Sequence, residues 1–319
     1  MLSSDGYSAM WRAGCAGALL VASFAVASCG GDGHGADAKN GKVTVVYRTD
    51  ANTPEERHAV SVVQKSRVLE QVADWVNESV ALPHDMVVRV TDEVPPGVTD
   101  AVTQPDGRTI FVPPSFLAQI ENALGNVVKT VKRPAVFPEA QYNADRLTAL
   151  STQFVFGHEM GHALQRQLLL ANLGLEEDAA DGFASFYTIN EVGPYPSLAA
   201  AVLFDEIARM EGKLTLEGLS SDHPVTQQRV FHILCYVAGS DPRKFREPLV
   251  STGYLPKTRA PLCPQAWAML DFGWWTQLRP HFTARFDDEG DEQLRNAHDH
   301  LVAETKAFTE NLDTIRRGQ

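Results

Sequence analysis

Residues 158–162 read His-Glu-Met-Gly-His, and this short segment constrains the fold of the chain more than any other. Residues four apart on an α-helix lie on one face, one turn above the other, so His158 and His162 can share a metal ion if the segment is helical. Glu159 lies beside the first histidine, where its carboxylate can reach a water on the metal without binding the metal itself. The segment therefore predicts a helix that carries two metal ligands and a general base.

The residues on either side of this segment predict a long, buried helix. Residues 149–156 and 163–170 are apolar and compatible with a helix, and a helix that is apolar all round is buried. Asn143 or Asp145 can cap its beginning, and Gly174 follows its end. Two surface histidines on an ordinary helix are the alternative, but buried histidines need polar partners, which a metal ion would supply.

A zinc site of this kind needs a third protein ligand and an open fourth position. Residues 176–184 begin a second predicted helix, and the sequence from Glu177 to Asp181 resembles the E-x-x-A-D third-ligand motif of the gluzincin peptidases, similar to that of the prenyl-protein and heat-shock membrane zinc peptidases. The resemblance implies that Glu177 is the third ligand and that Asp181 holds a ligand histidine through its other ring nitrogen. Glu176 is the competing ligand, and an acidic first turn that only complements the helix dipole is the alternative.

An upstream segment, residues 100–112, predicts a β-hairpin that turns at Asp106 and Gly107. The same residues resemble the N-A-x-x-x-P-x-G-x-I-x-V strand pair of those peptidases, with Asp100 in place of the usual Asn. The resemblance implies that the edge strand borders the active cleft and pairs with extended substrate through main-chain hydrogen bonds.

Residues 221–229 resemble the S-x-H-P-x-x-x-x-R segment of the membrane peptidases. The extension to Pro242 is closer to a bacterial family described as putative metallopeptidases, whose substrate is unknown. The resemblance implies that His223 stabilises the oxyanion of the tetrahedral intermediate and that Arg229 orients carboxylates around the metal or binds substrate. A histidine at a helix N-terminus with no role in chemistry is the alternative for His223.

The amino terminus is predicted to be a targeting segment. Arg12 supplies a positive charge, residues 13–27 are a short apolar run, and the sequence Val-Ala-Ser-Cys at residues 26–29 resembles a bacterial lipobox. The resemblance implies a lipoprotein signal peptide over residues 1–28, a membrane anchor through lipidated Cys29 and a flexible tether up to residue 41. We therefore expect a lipid-anchored protein of the bacterial cell envelope, facing the periplasm or the outside, with a plain secretory signal as the alternative.

Two cysteines, Cys235 and Cys263, remain once the amino-terminal segment is set aside. An even pair in an oxidising compartment predicts a disulfide. Closing a loop of that length would stabilise the fold by roughly 3 to 4 kcal/mol on the chain-entropy model. Two buried free thiols are the alternative.

The remaining segments predict an α+β domain. Residues 42–48 and 86–90 read as strands, and a capping box at Thr53 opens a predicted long helix to about Val80. Further helices are predicted near residues 115–131 and 197–210 and at the carboxyl terminus. With 44% hydrophobic residues the chain can bury one sizeable core, and its formal net charge of −12 gives no support to nucleic-acid binding.

Together these segments resemble a zincin over roughly residues 42–264. The resemblance implies a zincin-like metallopeptidase domain over residues 42–319 with a helical carboxyl-terminal part: a small twisted sheet with an edge strand, packed by helices, with the zinc site on two consecutive helices. The resemblance implies that His158, His162 and Glu177 bind Zn²⁺. It also implies a zinc-dependent endopeptidase in which Glu159 activates water to cleave a peptide or protein substrate. A non-catalytic binding lipoprotein of the envelope that retains the scaffold is the alternative, and a zinc hydrolase acting on something other than peptide is a third hypothesis.

Overall fold

The computed structural model of the chain describes residues 40–48, 51–211 and 225–310. The strands are β1 (Val43–Arg48), β2 (Met86–Thr91), β3 (Val102–Thr103) and β4 (Thr109–Val112). The helices are α1 (Pro54–Ser66), α2 (Val68–Ser79), α3 (Pro114–Thr130), α4 (Ala144–Leu168), α5 (Glu176–Tyr187), α6 (Tyr195–Glu211), α7 (Thr226–Ser240), α8 (Pro242–Ser251), α9 (Cys263–Leu278) and α10 (Asp287–Glu310). The predicted α+β class is confirmed, and the described part of the chain is mostly helical.

The four strands form one mixed sheet in the order β1-β2-β4-β3. β2 is parallel to both of its neighbours, whereas β3 pairs antiparallel with β4 and lies at the edge. The predicted hairpin between β3 and β4 is confirmed, and Gly107 in its turn has a φ of +68° in the left-handed region that favours glycine. A Cβ at Gly107 would lie 2.8 Å from the carbonyl oxygen of Ala163, so the hairpin packs directly on α4.

Helix α4 is buried along most of its length because it lies between two hydrophobic clusters. Met160 and Leu164 belong to a cluster that includes the sheet and α2, while Leu150 and Phe154 belong to a second cluster with α3, α6 and α7. Asn143 caps the helix, since its side-chain oxygen accepts a hydrogen bond from the Arg146 backbone N–H at 2.9 Å. The predicted buried helix is therefore confirmed, and its polar side chains lie in an apolar surrounding.

Small residues allow α5 to approach α4 closely. A Cβ at Gly161 would lie 3.0 Å from the Cα of Ala180 and 3.1 Å from the Cβ of Phe183. One turn earlier on α4, a Cβ at Gly157 would lie 3.3 Å from Ala184. This close approach brings the first turn of α5 to the histidine face of α4.

Two predicted helix boundaries are wrong. The predicted long helix to Val80 is broken into α1 and α2 at Arg67, which has a φ of +56° in the left-handed region. The break lets α1 pack on α3 and α4 while α2 packs on β1 and α4. Gly174 does not cap α4, because Leu169 ends that helix with a φ of +52°.

The predicted disulfide is confirmed: Cys235 of α7 and Cys263 at the beginning of α9 are bonded, and both are buried. None of the helices in the described ranges is long and apolar enough to cross a membrane. The predicted signal peptide and Cys29, the predicted lipid attachment site, lie outside the described residues.

Candidate metal centre

The structure brings the three predicted metal ligands together. His158 and His162 lie one turn apart on the buried face of α4, and their Nε2 atoms are 3.1 Å apart. Glu177, in the first turn of α5, places one carboxylate oxygen 3.2 Å from His158 Nε2 and the other 3.5 Å from His162 Nε2. These three side chains offer ligand atoms that all lie within 4.8 Å of one another.

The Nδ1 atom of each histidine contacts a second carboxylate. Asp181 Oδ1 lies 2.8 Å from His158 Nδ1, and Glu176 Oε1 lies 2.8 Å from His162 Nδ1. An ionised carboxylate can only accept hydrogen bonds, so both Nδ1 atoms carry a proton, and in the neutral form of each imidazole the Nε2 atom directs a lone pair at the centre. Asp181 therefore contacts the His158 ring and Glu176 contacts the His162 ring, each at the nitrogen that faces away from the centre.

This arrangement of donors fits a divalent cation. With both Nδ1 atoms protonated, the centre contains two imidazole lone pairs and a carboxylate, and neutral imidazoles leave no donor among them. Tetrahedral zinc with bonds of about 2.0 to 2.2 Å separates its ligand atoms by roughly 3.3 to 3.6 Å. The separations of 3.1, 3.2 and 3.5 Å are close to this range. The residues present would therefore hold a zinc ion, with the neutral imidazoles of His158 and His162 and the Glu177 carboxylate as its ligands.

The electrostatics of the centre also favour positive charge. Burial alone lowers the pKa of His158, yet hydrogen bonds to Asp181 and Glu177 outweigh burial and raise this pKa to about 9. Burial raises the pKa of Glu177, but its hydrogen bonds with His158 and His162 hold the pKa well below the usual range. A proton or a cation between these groups is stabilised for the same reason, and the two compete for the same nitrogen atoms.

Arg229 balances the charge of the buried Asp181. Its guanidinium donates to Asp181 from Nε at 2.7 Å and from Nη2 at 2.9 Å, and it lies 4.2 Å from the centroid of the Phe204 ring. Burial raises the pKa of Asp181, but the charge and hydrogen bonds of Arg229, together with the contact to His158, outweigh burial and hold the pKa well below its usual range. Arg229 therefore helps to keep the Asp181 carboxylate, which contacts His158, ionised.

Sequence reasoning missed the hydroxyl that contacts Glu159. Thr103, in the edge strand β3, places its Oγ1 2.7 Å from Glu159 Oε2 and 2.8 Å from the Glu159 main-chain oxygen. Both side chains are buried, so this contact fixes the Glu159 carboxylate beside the histidines. The two residues are 56 positions apart, and no local sequence signal links them.

Arg166 is a second residue that sequence reasoning missed. It lies one turn after His162 on α4 and donates from Nη1 to the main-chain oxygens of Thr103 and Gln104 at 2.8 and 3.1 Å. Its Nη2 lies 2.8 Å from Glu176 Oε1. Arg166 therefore joins the edge strand to the carboxylate behind His162, and its spacing of four residues from His162 is the signal that could have indicated it.

The remaining predicted catalytic residue, His223, lies outside the described residues. The described part of the site has a cavity of about 440 Å³, with His158 and Glu159 among its lining residues. The cavity gives a substrate-sized space next to the candidate base.

Residues 47–278 match the model of a family described as putative metallopeptidases. The match covers most of the 319 residues, and the chain belongs to this family. The family places the chain among metal-dependent peptidases, which are hydrolases that act on peptide or protein substrates. No curated protein and no solved structure gives a significant match.

Proposed function

We propose that the protein is a zinc-dependent endopeptidase of the gluzincin type with a zincin-like fold, similar in its site to the membrane zinc peptidases. The observation that carries this proposal is the convergence of two Nε2 atoms and a carboxylate at 3.1 to 3.5 Å, with both Nδ1 atoms held from outside by carboxylates. This geometry supports His158, His162 and Glu177 as the ligands.

These three residues would hold a zinc ion, which would supply Lewis-acid chemistry towards a peptide carbonyl and would lower the pKa of a bound water to about 7. Glu159 takes a proton from the attacking water and delivers it to the leaving amine nitrogen. The Thr103 hydroxyl keeps the Glu159 carboxylate directed at the cavity. We assign stabilisation of the oxyanion to His223, on the resemblance of its segment to that of the membrane peptidases.

The edge strand supports a peptide as substrate. β3 lies at the edge of the sheet, and Ala101, directly before it, lines the cavity that contains Glu159. An extended peptide that adds to this edge would pass the candidate base, with main-chain hydrogen bonds fixing its direction. A non-catalytic binding protein would need neither a base at Glu159 nor the hydroxyl that orients it.

We further propose that the protein acts outside the cytoplasmic membrane as a lipoprotein anchored through Cys29. Support comes from the lipobox-like sequence at residues 26–29 and from the disulfide between Cys235 and Cys263, since such bonds persist in oxidising compartments.

The test of the proposed activity is the Glu159→Gln variant, assayed on denatured casein with zinc and with a chelator. Removing the general base should lower turnover at least about 100-fold, while zinc content and thermal stability stay at the wild-type level. Glu121→Gln makes the same chemical change away from the centre and should retain full activity. Wild-type turnover by Glu159→Gln would contradict the assignment of the base.

A further inference from the structure

The loop between α4 and α5, residues 169–175, exposes leucine side chains to solvent. Its seven residues include no charge and read Leu-Leu-Ala-Asn-Leu-Gly-Leu. Leu169 is 88% exposed, Leu173 is fully exposed and Leu175 is 48% exposed. Large apolar side chains that are exposed close together mark a surface that contacts something other than water.

Folding of the domain does not account for Leu169. This residue ends α4 with a φ of +52°, in the left-handed region where glycine or asparagine is favoured. Its neighbours Leu168 and Leu170 pack against the hydrophobic cluster that includes the sheet, whereas the Leu169 side chain points into solvent. Leucine at this position therefore strains the backbone and leaves apolar surface in water, and contact with an apolar phase would offset both costs.

The loop lies at the end of the sheet where the parallel strands begin. Gln167, in the last turn of α4, donates from Nε2 to the Gly107 main-chain oxygen at 2.8 Å, just before β4. Because β1, β2 and β4 are parallel, all three begin at this end, with β1 about 10 Å from β4. Asn40, the first described residue, lies three positions before β1. The chain therefore enters the domain at the same end as the leucine loop.

Chain length and charge at this end favour a lipid surface as the partner. Ten residues lie between Cys29, the proposed lipid attachment site, and Asn40, and a segment of that length spans at most about 40 Å. The exposed charged residues beside the strand starts include two of each sign: Lys42, Arg108, Asp85 and Asp106. An apolar loop with balanced charges around it suits the interfacial region of a bilayer better than a strongly charged partner.

We propose that residues 169–175 contact the phospholipid bilayer, with Leu169 and Leu173 in its interfacial region, and that this contact turns the strand-start end of the domain towards the membrane. The inference rests on the proposed lipid anchor and adds the orientation of the domain to it. His162 lies six residues before Leu168, roughly 9 Å along the axis of α4. The candidate metal centre is then held close to the membrane surface, where it meets peptide segments near the bilayer.

The experiment reconstitutes the full-length, lipidated protein in phosphatidylcholine vesicles, with a spin label at Ala171→Cys in the loop or at Glu93→Cys beyond the opposite end of β2. Electron paramagnetic resonance measures collisions of each label with oxygen, which concentrates in the bilayer, and with a water-soluble nickel complex. We expect the ratio of nickel to oxygen collisions to be at least about fivefold lower at residue 171 than at residue 93. Equal ratios in the lipidated protein would overturn the inference.

Leu169→Ser combined with Leu173→Ser tests whether the leucines cause the shielding from nickel. In this background the label at residue 171 should become as accessible as the label at residue 93. Met269→Ser removes another exposed apolar side chain, on α9, and should leave the shielding unchanged. Shielding that persists without the two leucines would overturn the inference, and shielding that occurs in native membranes but not in lipid vesicles would overturn it in favour of a protein partner.

Two further measurements separate this inference from the other proposals. Zinc content and cleavage of casein report the proposed peptidase and should match the wild type in the leucine variants. Mass spectrometry of the amino-terminal fragment reports lipid at Cys29. A protein without this lipid whose label is still shielded by vesicles would support the inference and overturn the anchor, whereas a protein without lipid that does not bind vesicles would overturn both.

Discussion

Within the described part of the chain, two groups of histidine and carboxylate side chains place potential ligand atoms within 4.8 Å of one another, one on α4 and α5 and the other shared by α1, α3 and α4. The first group is His158, His162 and Glu177, and the second is His58, Glu121 and Asp145. The side chains of the first group are 6 to 15% exposed, whereas that of His58 is 52% exposed and that of Asp145 60%. The two groups have similar composition and very different surroundings.

The two groups differ in burial and in the carboxylates that contact their histidines, and these differences favour the first group as the candidate metal centre. In the second group, Glu121 lies 2.5 Å from His58 Nδ1, and Asp145 lies 4.0 Å from the opposite ring nitrogen. Its two carboxylates therefore contact opposite sides of one ring. In the first group, Asp181 and Glu176 contact the two Nδ1 atoms, so the two Nε2 atoms already converge before any metal binds.

The largest effect should come from removing the carboxylate behind His158. Asp181→Ala leaves Arg229 as a buried, unpaired charge, so we expect the free energy of unfolding to fall by about 3 to 5 kcal/mol. We also expect zinc affinity to fall about 10- to 100-fold. Denaturant unfolding and competition with a chelator measure the two effects.

Asp145→Ala is the matched change in the second, exposed group of His58, Glu121 and Asp145. It should alter the free energy of unfolding by no more than about 0.5 kcal/mol. The double variant Asp181→Ala, Arg229→Met should recover part of the lost stability without recovering zinc affinity. If the single and double variants unfold at the same denaturant concentration, the charge-balancing role of Arg229 is wrong.

The free energy of unfolding of the metal-free protein should depend on pH, because the group of His158, His162 and Glu177 stabilises a positive charge. The folded-state pKa of His158 is about 9, above its usual value of 6.5. Its stabilisation is therefore complete below pH 6.5 and is lost as pH rises through 9, by an amount on the order of 3 kcal/mol. Unfolding measured between pH 6 and 10 in chelator should show this decline, and His158→Gln should lack it.

Zinc should reverse this pH dependence. Protons and zinc compete for His158 Nε2, so zinc affinity should rise as pH increases over the same range. A metal-free protein whose unfolding free energy increases from pH 6.5 to 9 would contradict the charge balance proposed for the centre.

A smaller effect should follow from losing the hydroxyl that orients the base, a feature that the exposed group lacks. Thr103→Val keeps the shape of the side chain but removes the hydrogen bond to Glu159, so we expect kcat to fall about tenfold, equal to about 1.4 kcal/mol. KM and zinc content should stay nearly unchanged, and Thr103→Ser should restore most of kcat. An equal loss in Thr103→Ser would indicate a packing effect instead.

The smallest effect should come from the exposed group itself. His58→Ala removes contacts to Glu121 and Asp145 at the surface, where such pairs contribute at most about 1 kcal/mol. Zinc stoichiometry and peptidase activity should match the wild type. A lost equivalent of zinc in His58→Ala would show that exposure does not separate the two groups.

The sequence predicted the parts of the site that depend on local geometry. Helical spacing places His158 above His162, and the spacing from Glu177 to Asp181 puts both carboxylates on one face of α5. The family resemblance was needed to choose Glu177 over Glu176. Sequence spacing could not show that the Glu176 carboxylate contacts His162 Nδ1. That contact depends on the path of residues 169–175 between α4 and α5.

Contacts between distant segments could not be predicted. Thr103 reaches Glu159 only because the hairpin packs on α4 at Gly107, and this packing follows from the whole sheet. The break at Arg67 was also missed, since a non-glycine residue adopted the left-handed conformation to let α1 and α2 pack on different neighbours. Tertiary packing overrides local preference at such positions.

The most direct test of the central claim is the zinc content of the purified protein, measured by elemental analysis for the wild type, Glu177→Ala and Glu121→Ala. We predict about one zinc per chain in the wild type and in Glu121→Ala, and little or none in Glu177→Ala. A wild type that binds no zinc, or a Glu177→Ala variant that retains it, would contradict the assignment of His158, His162 and Glu177 as the metal ligands.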